Sequence, residues 1–137
     1  MSMFRIFDTA ATGMSAQTLR MNLVASNMAN ADAVSNSRDE TYRARQPVFQ
    51  TMLDQFNPDA VAHGVRMAGV VESDAPLIQE HAPDHPLANE EGYIFRSNVN
   101  MVEEMANMLS ASRSYQSNVE VANSAKQLLL ATLRMGQ

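Results

Sequence analysis

The chain has 137 residues, a net charge of −5 and no cysteine. That length supports one small domain, or one with helical extensions, and the lack of Cys excludes a disulfide scaffold, a thiolate metal site and a Cys nucleophile. The acidic balance, with Arg38, Arg43 and Arg45 as one local basic cluster and no aromatic-and-basic stripe around it, argues against nucleic acid as a partner. Aromatics are only 6% and Trp is absent, so the apolar mass falls on Ala, Val, Leu and 11 Met, the last a flexible side chain that packs tolerantly. No apolar run is long enough to span a bilayer. The first residues lack the continuous apolar segment of a secretory signal, so ordinary rules place the chain in the cytoplasm unless another export pathway reads it.

From Met3 onward, Met3, Phe7, Ala10, Met14, Gln17, Met21, Val24 and Met28 follow an alternating four-three spacing. Such spacing predicts a helix with one narrow apolar seam, the pattern of a coiled coil. Thr12 and Gly13 are expected to interrupt it, since Gly costs about 1 kcal/mol against Ala in a helix interior. The polar run of Ser26, Asn27, Asn30, Asp32, Ser35, Asn36 and Ser37 favours turns and predicts a helix end near Ala31. Residues 42–53 read as weakly extended, with Pro47 confining any strand to an edge. Residues 55–62, with Pro58, read as a linker. Residues 64–72 are β-branched and bounded by Gly64 and by Ser73-Asp74, the best strand in the chain. Residues 76–91 carry Pro76, Pro83 and Pro86 among acids and His and predict a loop. Residues 92–96 make a short second strand.

Asn100 and Glu103 form a capping-box pair that opens a second helix near Met101. Met101, Met105, Met108, Ser112, Tyr115, Val119, Ala122, Lys126, Leu129 and Leu133 repeat the four-three spacing, with no Gly or Pro before Gly136. At 1.5 Å per residue this helix is roughly 50 Å long, so it projects beyond any small domain and its seam needs a partner. The expected fold is therefore mainly α: an N-terminal coiled-coil helix over 1–31, a middle segment with short strands and loops over 32–97, and a C-terminal coiled-coil helix over 98–137.

No strong catalytic constellation is present. His81, Asp84 and His85 are spaced like metal ligands, but Pro83 and Pro86 remove helical geometry. Glu90, Glu91, Glu103 and Glu104 read as a solvated acidic patch at a helix N-terminus, where the dipole favours negative charge. Ser112, Tyr115 and Lys126 read as polar seam residues that set register. Seven asparagines, Asn27, Asn30, Asn98, Asn100, Asn107, Asn118 and Asn123, cluster at helix ends and along helix faces. Asn30 and Asn100 suit helix caps, and the others are either solvated or bridge backbones with their paired donor and acceptor groups. No cofactor and no metal site is expected.

The stretch Ala25-Ser26-Asn27-Met28-Ala29-Asn30-Ala31-Asp32 resembles the N-terminal signature of the flagellar axial proteins, the rod and hook family. Asp84-His85-Pro86-Leu87-Ala88, Gly92-Tyr93-Ile94, Asn98-Val99-Asn100, Glu103-Glu104-Met105 and the run from Ser110 to Asn118 resemble the C-terminal half of a short proximal-rod member. The resemblance singles out Asn27, Asn30, Asn98 and Asn100 as family-motif positions. It implies a structural subunit of the basal-body rod, the drive shaft that crosses the periplasm. It also implies export by the flagellar type III apparatus without a cleaved signal, terminal helices paired as a coiled coil in the inner tube, and no enzymatic activity. Partners would be further copies and other rod proteins in a helical tube, with no small-molecule substrate. Met14, Met21, Val24 and Met28 on the first helix, and Met105, Met108, Tyr115, Val119, Leu129 and Leu133 on the second, are the expected assembly residues. A cytoplasmic coiled-coil adaptor or secretion chaperone fits the periodicity equally well, and a hydrolase built on His81, Asp84 and His85 is a third reading.

Overall fold

The structure, a computed structural model, describes residues 3–52 and 64–136. The expected linker at 55–62 lies outside the described residues. In chain order the elements are α1 (Met3–Ala29), β1 (Val34–Ser35), β2 (Arg45–Met52), β3 (Gly64–Glu72), β4 (Ile78–His81), β5 (Tyr93–Arg96) and α2 (Met101–Met135). The chain is thus mainly helical, with small antiparallel sheets between two long helices.

The helices pack side by side and antiparallel. Arg20 Nη2 donates to Asn107 Oδ1 at 3.1 Å, and Gly13 lies against Asn118, so positions that rise along α1 meet positions that fall along α2. Gly13 does not interrupt α1. A methyl group there would lie 2.8 Å from Asn118 Nδ2, so the missing side chain lets α2 approach closely at the cost of helix propensity.

The seam of α2 differs in register from the four-three spacing read from its Met and Leu residues. Its three buried residues are Glu104, Ala111 and Ala125, with Met108, Tyr115, Asn118, Ala122 and Leu129 half-buried between and beyond them. Of the ten expected seam positions, Met101, Met108, Ser112, Tyr115, Val119, Ala122 and Leu129 are half-buried. At three positions the fully buried residue is the one before, Glu104 for Met105, Ala111 for Ser112 and Ala125 for Lys126. The reason is size: Ala at the contact brings two helix axes together, whereas the largest apolar side chains, which dominate a hydrophobicity pattern, hold them apart. Met105 and Leu133 consequently stand 55% and 61% exposed.

The other side of α1 is covered by the β2–β3 hairpin. Thr12 Oγ1 accepts from the Val65 backbone N–H at 3.3 Å, and Ala16 is buried beneath this contact. β2 and β3 pair antiparallel from Arg45↔Glu72 to Met52↔Gly64, with an irregularity between Val48 and Phe49. β3 occupies the span read from its β-branched residues, and β2, with Pro47, has one free edge as a two-stranded sheet must.

The second sheet has the order β1-β5-β4. The expected loop at 76–91 contains β4, which pairs with β5 from Ile78↔Arg96 to His81↔Tyr93. Pro76 and Pro83 flank this strand without entering it, so their missing N–H groups cost no ladder bond. Gly92 makes the tight return into β5 with φ of 79°, a conformation open to Gly and strained for other residues. β1 follows α1 and β5 leads toward α2, and their pairing at Val34↔Arg96 joins the inner ends of the two helices. The start of α1 and the end of α2 therefore lie at the far end of the helix pair.

Candidate assembly site

The two ends of the helix pair are the chemically distinctive regions. At the inner end, Asn27 is 1% exposed. Its Oδ1 accepts from the Arg45 backbone N–H and from the Tyr42 hydroxyl, each at 2.9 Å. Its Nδ2 donates to the Arg45 carbonyl at 2.8 Å. One side-chain amide thus serves both peptide groups of Arg45, as a neighbouring strand would. Asn98, just before α2, does the same for the adjoining residues. Its Oδ1 accepts from the Ala44 N–H at 2.7 Å, and its Nδ2 donates to the carbonyls of Ser73 and Ala75 at 3.2 and 2.9 Å. Ala44 and Arg45, consecutive in the chain, are therefore held at once from the end of α1 and from the segment that leads into α2.

Asn30 and Asn100 act as caps, as the sequence predicts. Asn30 Nδ2 donates to the Ser26 carbonyl at 2.8 Å in the last turn of α1. Asn100 Oδ1 accepts from the N–H groups of Val102 and Glu103 at 3.1 and 3.3 Å, two donors that an α-helix leaves unpaired at its start. Asn27 and Asn98 are bridges, and the solvated reading does not hold for them.

Glu104 was grouped with a solvated acidic patch, but it is 6% exposed. It is the first of the three buried residues of α2, one residue before the expected seam position Met105. Burial pushes its carboxyl above the ordinary value of 4.5, the neighbouring Glu103 adds to this, and the Asn27 amide and Arg20 oppose it. Its Oε2, and Oε1 of Gln17 on α1, are buried without a hydrogen-bond partner. Arg20 is the cation that acts on Glu104, and its Nη2 goes to Asn107. The signal that could have found Glu104 was its heptad spacing from Ala111 and Ala125, which an apolar template discards.

Of the expected assembly residues, Val24 is buried, and Met14, Met21 and Met28 are half-buried on α1. On α2, Met108, Tyr115, Val119 and Leu129 are half-buried, and Met105 and Leu133 are exposed. Their neighbours Val102, Leu109, Val121, Leu128, Leu130 and Met135 are also exposed. So many large apolar side chains on one helix exceed the scattered exposure normal for a soluble surface.

The basic cluster is engaged rather than free. Arg38 lies over the Phe95 ring at 5.4 Å and donates to Gln79 at 3.1 Å. Arg43 reaches the Ser73 carbonyl, and Arg45 pairs with Glu72 at 3.9 Å. His81 sits edge-on to Tyr93 with ring centres 4.9 Å apart. His85 accepts from the Leu87 N–H. Among the described residues, no group of three His, Asp or Glu is placed to hold a metal ion. No helix among them is long and apolar enough to cross a membrane.

Two long helices are thus joined by an asparagine junction, and α2 carries large apolar side chains on its exposed surface. The family model for "Flagella basal body rod protein" matches residues 7–36, and that for "Flagellar basal body rod FlgEFG protein C-terminal" matches residues 90–135. The flagellar basal-body rod protein FlgC of Escherichia coli O157:H7 is 47% identical over 137 residues, all of both chains. Those of Salmonella typhimurium, strain LT2, at 45% over 137 residues, and of Buchnera aphidicola subspecies Acyrthosiphon pisum, at 37% over 139 residues, likewise match over the whole of both chains. The chain belongs to the FlgC family of flagellar basal-body rod proteins.

Proposed function

We propose that the chain is a structural subunit of the basal-body proximal rod, transmitting torque and enclosing a central export channel as copies and other rod proteins pack into a helical tube. Full-length similarity to rod proteins carries this reading, and the unpartnered apolar surface of α2 supports it. Residues 1–31 and 98–137 would form the tube wall and 32–97 its outer layer. On α1, Val24 is buried within the subunit, and Met14, Met21 and Met28, half-buried, would be covered by neighbouring subunits. Met105 and Leu133 would reach neighbouring subunits, and Met108, Tyr115, Val119 and Leu129, half-buried at the margin, would be covered in the rod. Between subunits the helices would pair as coiled coils. Such contacts must be head-to-tail, because a two-fold contact closes a dimer while a repeated heterologous one builds a tube. The chain would reach the periplasm through the flagellar type III apparatus without a cleaved signal. The family match does not favour the cytoplasmic adaptor.

Electron microscopy of isolated basal bodies tests this directly, by locating the chain in the rod density. A variant separates assembly from export. Met105→Asp should be exported and leave cells without rods. Burying a Met is worth roughly 1.5–3 kcal/mol, and desolvating a carboxylate costs several more, a penalty repeated at every subunit. Glu90→Gln, on an exposed turn, should swim normally. Normal rods with Met105→Asp would remove Met105 from the interface.

A further inference from the structure

The chain holds its sulfur only as thioether, with 11 Met and no Cys. No thiolate competes for an oxidant. Among the described side chains, three methionines are exposed: Met135 at 80%, Met105 at 55% and Met52 at 41%. Met14, Met21, Met28, Met67, Met101 and Met108 are half-buried. Attack on a thioether needs access to the sulfur, so the exposed three react first. Two of them, Met105 and Met135, stand on α2.

Met105 shares a face of α2 with Val102 and Leu109, three residues before it and four after, which are 75% and 54% exposed. Met135 stands two turns beyond Leu128, on the same face, and Leu128 is 61% exposed. Hydrogen peroxide transfers one oxygen to such a sulfur. The peroxide O–O bond breaks, an S–O bond forms, the sulfur loses two electrons and water leaves. An apolar side chain thereby becomes a polar sulfoxide with a strong acceptor oxygen. On an exposed helix face water hydrates that oxygen, so the subunit keeps its fold. Covered by an apolar neighbour, the same oxygen would lose its water with no donor in return. Met52 ends β2, so its sulfoxide leaves the surface of α2 apolar.

We propose that Met105 and Met135 are sulfoxidation sites of the free subunit, and that their oxidation by peroxide bars the subunit from the rod without unfolding it. Exclusion from the rod rests on the assembly reading above, whereas the reactivity of the two thioethers does not.

Purified free chain treated with hydrogen peroxide should gain sulfoxide at Met105 and Met135 about tenfold faster than at Met21, Met101 and Met108, as read by peptide mass spectrometry. The denaturation midpoint should be unchanged when those two sites are oxidised. In purified rods both sites should react about tenfold more slowly than in the free chain. Equal rates at Met105, Met135 and Met108 in the free chain would overturn the sites. A lowered midpoint, or equal rates in rods and free chain, would overturn exclusion of an intact subunit. The double variant Met105→Gln with Met135→Gln sets polar groups at both positions. It should be secreted and be nearly absent from rods, while Met105→Leu with Met135→Leu should assemble. Normal rods with the Gln pair would overturn the exclusion, and loss of rods with the Leu pair would overturn polarity as its cause. Absence of the unmodified chain from purified rods would instead sink the assembly reading itself, and the free-chain rates would still decide the two sites.

Discussion

At the inner end of the helix pair, polar groups are buried and matched; at the outer end, apolar groups are exposed and unmatched. Asn27 and Asn98 close hydrogen bonds to Ala44, Arg45, Ser73 and Ala75, so the hydrogen bonding of that junction is complete in a single copy. Leu128, Leu130, Leu133 and Met135 stand in solvent at the other end, so that end is complete only with neighbours. Hydrogen bonds are directional and fix one geometry, whereas apolar contact is non-directional and tolerates several partners. A subunit that must hold one shape while meeting several neighbours is served by this division.

The sharpest way to break the comparison is Asn27→Leu. The substitution keeps approximate volume and leaves the Arg45 N–H and the Arg45 carbonyl without their partner, while the Tyr42 hydroxyl keeps Ser26 Oγ at 3.4 Å. Each unsatisfied buried group costs about 1–3 kcal/mol. A loss of about 3 kcal/mol or more is expected in chemical denaturation of the purified chain, with faster amide exchange at Ala44 and Arg45. A change of a few tenths would mean that water replaces the amide and that the junction is not a lock.

Between the two ends, Glu104 is the weak point of the seam. Its folded-state pKa is raised by burial, so the fold holds the proton more tightly than the unfolded chain does. The stability this contributes is fully present below 4.5 and is lost as pH rises through the raised value. Arg20 and Glu103 are the charged groups that act on it. Glu104→Gln should therefore raise the denaturation midpoint near neutral pH and match the unmodified chain in acid. A neutral-pH midpoint lowered by Glu104→Gln would mean that Arg20 pairs with the carboxylate in solution.

How far this division can be read from the sequence depends on which force sets each element. β3 was legible over 64–72 because β-branched residues crowd between Gly64 and Ser73, a local signal. The Asn100 cap was legible because its partners are two and three residues away. β4 was hidden because three nearby prolines dominate the local pattern, while its pairing with β5 is a matter of distant register. The α2 seam was partly legible: Met108, Tyr115, Ala122 and Leu129 were placed, but Ala111 and Ala125 were not, because close packing rewards small residues over large apolar ones, and Glu104 was not, because an apolar template discards a charged residue. Asn27 and Asn98 were singled out as motif positions, yet their partners, 18 and 54 residues away, appear only in the folded chain.

A smaller effect is expected from Asn100→Ala. It removes the acceptor for two N–H groups at the start of α2, and loss of such a cap typically costs about 1 kcal/mol. The first turn of α2 is solvent-facing, so water can take up part of the deficit. Amide exchange should rise at Val102 and Glu103 and stay unchanged beyond Ala111. Exchange rising along the whole helix would mean that the cap holds α2 in place as well as ending it.

The smallest effect on the chain itself is expected from Leu133→Ser. Leu133 is 61% exposed, near the end of α2 and beyond the stretch that α1 covers. Exposed substitutions of this kind usually change stability by no more than about 0.5 kcal/mol, so denaturation of the purified chain should be indistinguishable from the unmodified one. In the rod, the same side chain would lose the burial worth roughly 1.5–3 kcal/mol for a fully covered Leu, once per subunit. Rod yield should fall sharply while secreted monomer accumulates. The pair of measurements makes the argument testable as a contrast: Asn27→Leu should damage the monomer first, and Leu133→Ser should damage only the assembly. If Leu133→Ser rods form at normal yield, the exposed end of α2 is a solvated overhang, and the contact that completes the subunit lies elsewhere on the helix.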